Sequence, residues 1–176
     1  MGLLNEAAGH GAKWIAFNKI ADALHIVPAI NNPDDPRWNT GEETLPRLRK
    51  EFVIPKKIRK ATAFITGLGQ FECSINGSKV GDHFLDPGWT KFDKNTLYVT
   101  FDITGQLHNG NNTIGVMLGN GFYYVPGSRY RKLKGAYGCP KMICNILITY
   151  QDGTTENIVS DESWKASAGP VTFSSI

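Results

Sequence analysis

The chain has 176 residues, 41% hydrophobic and 20% charged, with mean hydropathy of -0.25, which suits one folded domain, or one domain with an irregular extension, and excludes a wholly disordered chain. Its net charge is +3, but the basic residues are dispersed. Without the interleaved aromatic and basic residues of RNA-binding segments, nucleic acid is not an expected partner; nor is a membrane, since no apolar run approaches the roughly 20 residues of a spanning helix.

The N-terminus, Met1-Gly2-Leu3-Leu4-Asn5-Glu6, has neither a basic leader nor a long apolar stretch and does not read as a signal peptide. Residues 1–46 read as an extended lead-in, broken by Pro28, Pro33, Pro36 and Pro46. Within it, residues 13–17 form a strand-like patch, residues 18–25 suit one or two helical turns, and Trp14 and Trp38 are expected to pack back on the body that follows.

From residue 47 the pattern changes to short β-rich runs separated by turns. Leu48, Phe52 and Ile54 alternate with charged residues up to Pro55. In residues 60–69 both faces carry apolar groups, so that strand belongs inside a sheet. Residues 71–75 lead into Asn76-Gly77, whose residue types favour the positive φ angles of a type I′ hairpin turn. Residues 96–103 alternate again, with Leu97, Val99, Phe101 and Ile103 on one side. A turn is predicted at Asn109-Gly110-Asn111-Asn112 before a strand over 113–118. A second hairpin joins residues 142–150 to 154–159 through Gln151-Asp152-Gly153, and Ser163-Trp164-Lys165-Ala166 follows. About eight strands with almost no helix predict an all-β fold, an antiparallel β-sandwich or jelly roll, over residues 47–176.

Cys73, Cys139 and Cys144 show no metal-binding spacing, and their odd number closes no disulfide framework; Cys73 and Cys144 read as small buried hydrophobes. His10, His25, His83 and His108 are isolated in sequence. Glycoside hydrolysis needs two carboxylates flanking the scissile bond. Asp82, Asp86, Asp93 and Asp102 are the candidates by type, but Asp86 precedes a proline and Asp102 lies two residues before Thr104, where turn or capping roles suffice. No catalytic residue is therefore assigned.

Sugar binding asks instead for aromatic faces and nearby amide, carboxylate or guanidinium groups. Residues 89–95 and 120–130 supply Trp89, Asp93, Asn95, Asn120, Tyr123, Tyr124, Arg129 and Tyr130. Large aromatics are usually buried, so Trp89 and Phe122 also read as plugs at the end of the sandwich, whereas Tyr123, Tyr124 and Tyr130 are expected to form an exposed platform.

Several segments together resemble the N-terminal domain of bacterial α-L-rhamnosidases. Residues 61–82 resemble its core of strand, Gly-x-Gly, strand and Asn-Gly hairpin. Leu85-Asp86-Pro87-Gly88-Trp89-Thr90 resembles its Pro-Gly-Trp-Thr loop, and Thr100-Phe101-Asp102-Ile103-Thr104 its Tyr-Asp-Val-Thr strand end. Residues 115–123 resemble its Val-Met-Leu-Gly-(Asn/Asp)-Gly-Trp-Tyr segment, with Phe122 in place of the usual Trp, and residues 160–165 also fit. This resemblance implies a galactose-binding-like jelly roll that is a module of a multi-domain glycoside hydrolase whose catalytic carboxylates lie in a separate (α/α)6 barrel. The implied partners are rhamnose-containing glycans and the parent's catalytic domain, and the implied setting is secreted, periplasmic or at the cell surface. No cofactor is expected. Some related sugar-binding jelly rolls hold Ca2+, for which Asp93, Asn95 and Asn120 are conceivable ligands, although no clustered Asp-x-Asp-x-Asp loop is present. A purely structural spacer, docked on the barrel and binding no sugar, is the alternative.

Overall fold

A computed structural model describes residues 10–17, 45–125 and 135–171. The expected helical turns at 18–25, Trp38, and most of the lead-in lie outside these residues. In chain order the strands are β1 (Ile15–Ala16), β2 (Pro46–Ile54), β3 (Ile58–Leu68), β4 (Gln70–Ile75), β5 (Ser78–Lys79) and β6 (Val99–Asp102). After a 3-10 turn at Thr104–Gln106 come β7 (Gly110–Gly119), β8 (Tyr124–Val125), β9 (Gly135–Ala136), β10 (Lys141–Tyr150), β11 (Thr155–Val159) and β12 (Lys165–Ala168).

These strands form two antiparallel sheets facing one core. The first runs β1-β10-β3-β6, with β11 also paired to β10; the second runs β12-β2-β7-β4-β5. From β2 to β12 the chain passes repeatedly between the sheets, as the sandwich reading expects. The β8-β9 pair stands apart as a small ribbon.

The alternation seen in the sequence sets the core. In β2, Leu48, Phe52 and Ile54 point inward while Arg47, Arg49, Glu51 and Val53 face out. In β3, Ala61, Ala63 and Ile65 meet inward residues of β10, including Ile146 and Ile148, and β3 lies between β10 and β6. Each fully buried Ile or Leu contributes about 1.5–3 kcal/mol relative to exposure. Cys73 and Cys144 are buried in this same cluster, and burial pushes both thiols well above their ordinary value.

The hairpin at Asn76-Gly77 forms with positive φ at both residues, 51° and 85°. The predicted turn at residues 109–112 is displaced. Strand β7 begins at Gly110 and pairs Asn111 and Asn112 with Val53 and Phe52 of β2. Asn112 is buried there because its amide satisfies local backbone: it accepts from His108 N and donates to the carbonyls of His108 and Gly110. Asn76 Nδ2 also donates to Asn112 Oδ1 at 2.9 Å, tying the β4-β5 turn to the start of β7. Strand β6 is shorter than the alternating run suggested, and Leu97 is exposed rather than aligned with buried Phe101 and Ile103.

Within the patch at 13–17 only Ile15–Ala16 forms a strand. Besides β1 pairing with β10, Lys13 N donates to Ser160 O at 2.7 Å and Ser160 Oγ donates to Lys13 O at 2.6 Å. Trp14, expected to pack back, remains partly exposed.

Candidate functional site

The loop between β5 and β6 is held at several points. Phe71 N donates to Asp86 O at 2.7 Å, fastening the loop to β4. Lys94 N and Asn95 N both donate to Lys91 O, and Thr90 Oγ1 donates to Asn95 O at 2.8 Å, closing a compact turn. Thr66 Oγ1 secures the far side by donating to Leu97 O at 2.5 Å. A long loop segment with little regular pairing thereby acquires a defined shape.

Trp89 is displayed by this loop and is 70% exposed. This corrects its reading as a core plug. Its ring lies nearly parallel to that of Phe122, with centroids 4.3 Å apart and an interplanar angle of 18°. One indole face rests on a partly buried support while much of the side chain meets water.

The tyrosines behave in the opposite way. Tyr123 and Tyr124 are each only 5% exposed, so neither forms the expected open platform. Tyr123 stacks on Tyr137 at 5.6 Å, and the Phe92 ring stands steeply inclined to both, at 90° and 74°. Burial of Tyr123, reinforced by nearby Cys139, pushes its phenol up to about 12. The β8-β9 ribbon brings residues near 123 and 137 together, including Tyr137 N donating to Tyr123 O at 3.0 Å.

Asn120 is also buried, and its carbonyl accepts from the amides of Tyr123 and Tyr124 at 3.2 Å. Among the described residues, its Nδ2 has no hydrogen-bond partner. Asp93 and Asn95 remain exposed on the Trp89 loop. Asp93 lies 3.9 Å from Lys91, and its charge, after burial, helps raise the Tyr137 phenol above its ordinary value. Arg129 and Tyr130 lie outside the described residues. The structure thus places Trp89, Asp93 and Asn95 together on one exposed loop and assigns Asn120, Tyr123 and Tyr124 to the packing beneath its neighbourhood.

Among the described residues, no group of three or more His, Cys, Asp or Glu side chains is suited to a metal ion, and no Ca2+ is assigned to Asp93, Asn95 and Asn120. Asp102 has the expected turn role: its carboxylate accepts from both the amide and hydroxyl of Thr104, at 3.0 and 2.6 Å, and these bonds hold its pKa below the ordinary carboxylate value.

Phe84 and Leu85, to which the sequence assigned no role, are two adjacent apolar residues between Gly81 and Pro87, a legible departure from polar loop chemistry. Phe84 is 81% exposed, with Lys79 Nζ 3.8 Å above its ring, and Leu85 is held at φ 62° while exposed. Beside them is a cavity of about 190 Å3 lined partly by Phe71, Val80 and Phe101, with the hydrogen-bonded His83-Asp86 pair among its lining residues.

Known proteins share both sequence and fold with the chain. The family model of the α-L-rhamnosidase N-terminal domain matches residues 56–176. An α-L-rhamnosidase of Formosa agariphila is 36% identical over 183 aligned residues, which include 100% of this chain and 19% of the relative. The α-L-rhamnosidase structure from Aspergillus terreus gives a TM-score of 0.74 at 34% identity, covering 89% of this chain and 18% of that one. A Streptomyces avermitilis α-L-rhamnosidase complexed with L-rhamnose gives 0.67 at 32% identity, covering 73% and 12%. The chain therefore spans about a fifth of the length of its long relatives. With two facing antiparallel sheets and this match over most of its length, the chain belongs to the α-L-rhamnosidase N-terminal domain family.

Proposed function

We propose that this chain is a non-catalytic carbohydrate-binding module of a multi-domain α-L-rhamnosidase, with Trp89 as the surface on which a sugar stacks. The observation that carries this reading is the 70% exposed indole backed by Phe122 at 4.3 Å. Stacking fixes the ring before ligand arrives, reducing the ordering cost of binding. L-Rhamnose, a 6-deoxy sugar, offers a methyl group and ring C–H bonds to such a face, while Asp93 and Asn95 provide polar groups on the same loop. Hydrolysis would belong to the remaining length of the parent, acting on rhamnose-containing glycans in a secreted, periplasmic or cell-surface setting.

Calorimetric titration with L-rhamnose and rhamnose-containing oligosaccharides tests this function. Saturable binding that weakens by about tenfold, or about 1.4 kcal/mol, in Trp89→Ala supports it. Absence of a saturable response at millimolar sugar removes the binding role.

A docking role is favoured separately by exposed Phe84 and Leu85. An apolar pair of this kind suits a contact with another domain of the parent. If the isolated chain associates with the purified catalytic region, Phe84→Ser with Leu85→Ser should abolish that association; unchanged association would exclude this surface. Docking without sugar binding would identify the chain as a structural spacer.

A further inference from the structure

The outer face of the second sheet carries a trough distinct from the Trp89 loop. Strand register aligns Lys165, Arg49, Gly115 and Ser74 in one row, and Ser167, Arg47, Met117 and Glu72 in the next. Arg47 and Arg49 flank inward-facing Leu48, so both project outward, and Lys165 shares the face of its partner Arg49. Gly115 contributes no side chain to the floor, where a Cβ would stand 3.1 Å from Ser74 Oγ. The trough has a volume of about 530 Å3, within the general range of roughly 300–1,000 Å3 for ligand sites.

Its charge is incompletely compensated. Lys165 lies directly opposite Arg49, an unfavourable placement for like charges on a sheet. Glu51 pairs with Arg49, and Lys79 holds Glu72 at 3.2 Å. Among the described residues, Arg47 and Lys165 have no acidic partner.

We infer that this trough binds an acidic glycan, with Arg47, Arg49 and Lys165 receiving its carboxylate or sulfate groups. Guanidinium forks suit either oxyanion, and a bound anion would relieve the repulsion between Lys165 and Arg49. The small Ser74, Gly115 and Ser167 leave room for a saccharide ring, and the two serine hydroxyls can bond its hydroxyls. This occupant rests on the proposed contact with glycans, yet its binding groups are different from Trp89, so the two sites can fail independently.

The test is titration of the 176-residue chain with oligogalacturonate, dextran sulfate oligomers, neutral dextran oligomers and poly-L-glutamate, at low and physiological salt. At least one acidic glycan should bind saturably, with salt weakening it, and neutral dextran should not. The carboxylate and sulfate arms distinguish the source of the charge. Arg47→Ser with Lys165→Ser should weaken binding about tenfold, whereas Lys57→Ser with Arg59→Ser, which removes two exposed charges elsewhere, should change it by less than about twofold. Far-UV circular dichroism checks that both double variants are folded. No binding of either acidic glycan, equal binding of neutral dextran, equal losses in the two double variants, or equally tight poly-L-glutamate binding would each overturn the inference.

Discussion

Trp89 and Phe122 lie in separate loops, one preceding β6 and the other following β7, yet their ring centroids are 4.3 Å apart in a stacked arrangement. Phe122 is therefore a positioning residue for the displayed indole. Phe122→Ala should leave Trp89 exposed but less ordered, weakening L-rhamnose binding through an added ordering cost of about 0.5–1.5 kcal/mol. Calorimetry on this variant checks the relationship, and unchanged affinity would show that the stack has no part in recognition.

Lys50 and Asp161 clamp the two sheets at one edge. Lys50 Nζ reaches both carboxylate oxygens at 3.1 Å and donates to Val159 O at 3.2 Å, while Trp164 Nε1 donates to the same carbonyl at 2.9 Å. The pair is partly shielded, with side-chain exposures of 15% and 29%. Asp161→Ala should destabilise the fold by about 1–3 kcal/mol, measured by denaturant unfolding, because it strands the Lys50 ammonium and removes hydrogen bonds to Ser163.

The same carboxylate gives stability a pH dependence. Burial pushes the Asp161 pKa up, but hydrogen bonds from Ser163 and Lys50 outweigh burial and hold it below the ordinary value of 3.8. The folded chain therefore takes up this proton less readily than the unfolded chain. Its contribution is complete above that ordinary value and is lost as pH falls through the lowered one. In Asp161→Asn, the decline in unfolding free energy below about pH 4 should be shallower than in the parent sequence. Identical acid profiles would contradict the clamp.

Gly69 allows β3 and β4 to cross close to the end of β7. Its φ is 105°, and a Cβ there would stand 2.2 Å from Gly119 O. Gly69→Ala combines unfavourable backbone geometry with a clash against main chain and should cost about 3 kcal/mol or more. Denaturant midpoints provide the measurement; a loss below about 1 kcal/mol would mean that the crossing relaxes easily.

Much of the sandwich is legible because its information is local. Leu48, Phe52 and Ile54 reveal a half-buried strand by their period, and Asn76-Gly77 specifies the turn its φ angles require. The start of β7 is less legible because Asn112 resembles a turn residue until its buried hydrogen bonds to His108 and Gly110 are seen. The site inverts the expected exposure of its aromatics for a related reason. Residue type makes both Trp89 and Tyr123 plausible ligand surfaces, but Tyr123 is covered through stacking with Tyr137, fourteen positions away. Trp89 receives support on one face from Phe122 and stays open. Such partners are set by loop folding and the β8-β9 ribbon, not by local periodicity.

The direct measurement of the central claim is the Trp89 indole N–H resonance during titration with L-rhamnose, assigned by its disappearance in Trp89→Phe. Sugar stacking predicts a saturable shift of that resonance with the same dissociation constant as calorimetric binding, while the buried Trp164 resonance stays nearly fixed. Saturable sugar binding with no change at Trp89 would contradict the assigned platform.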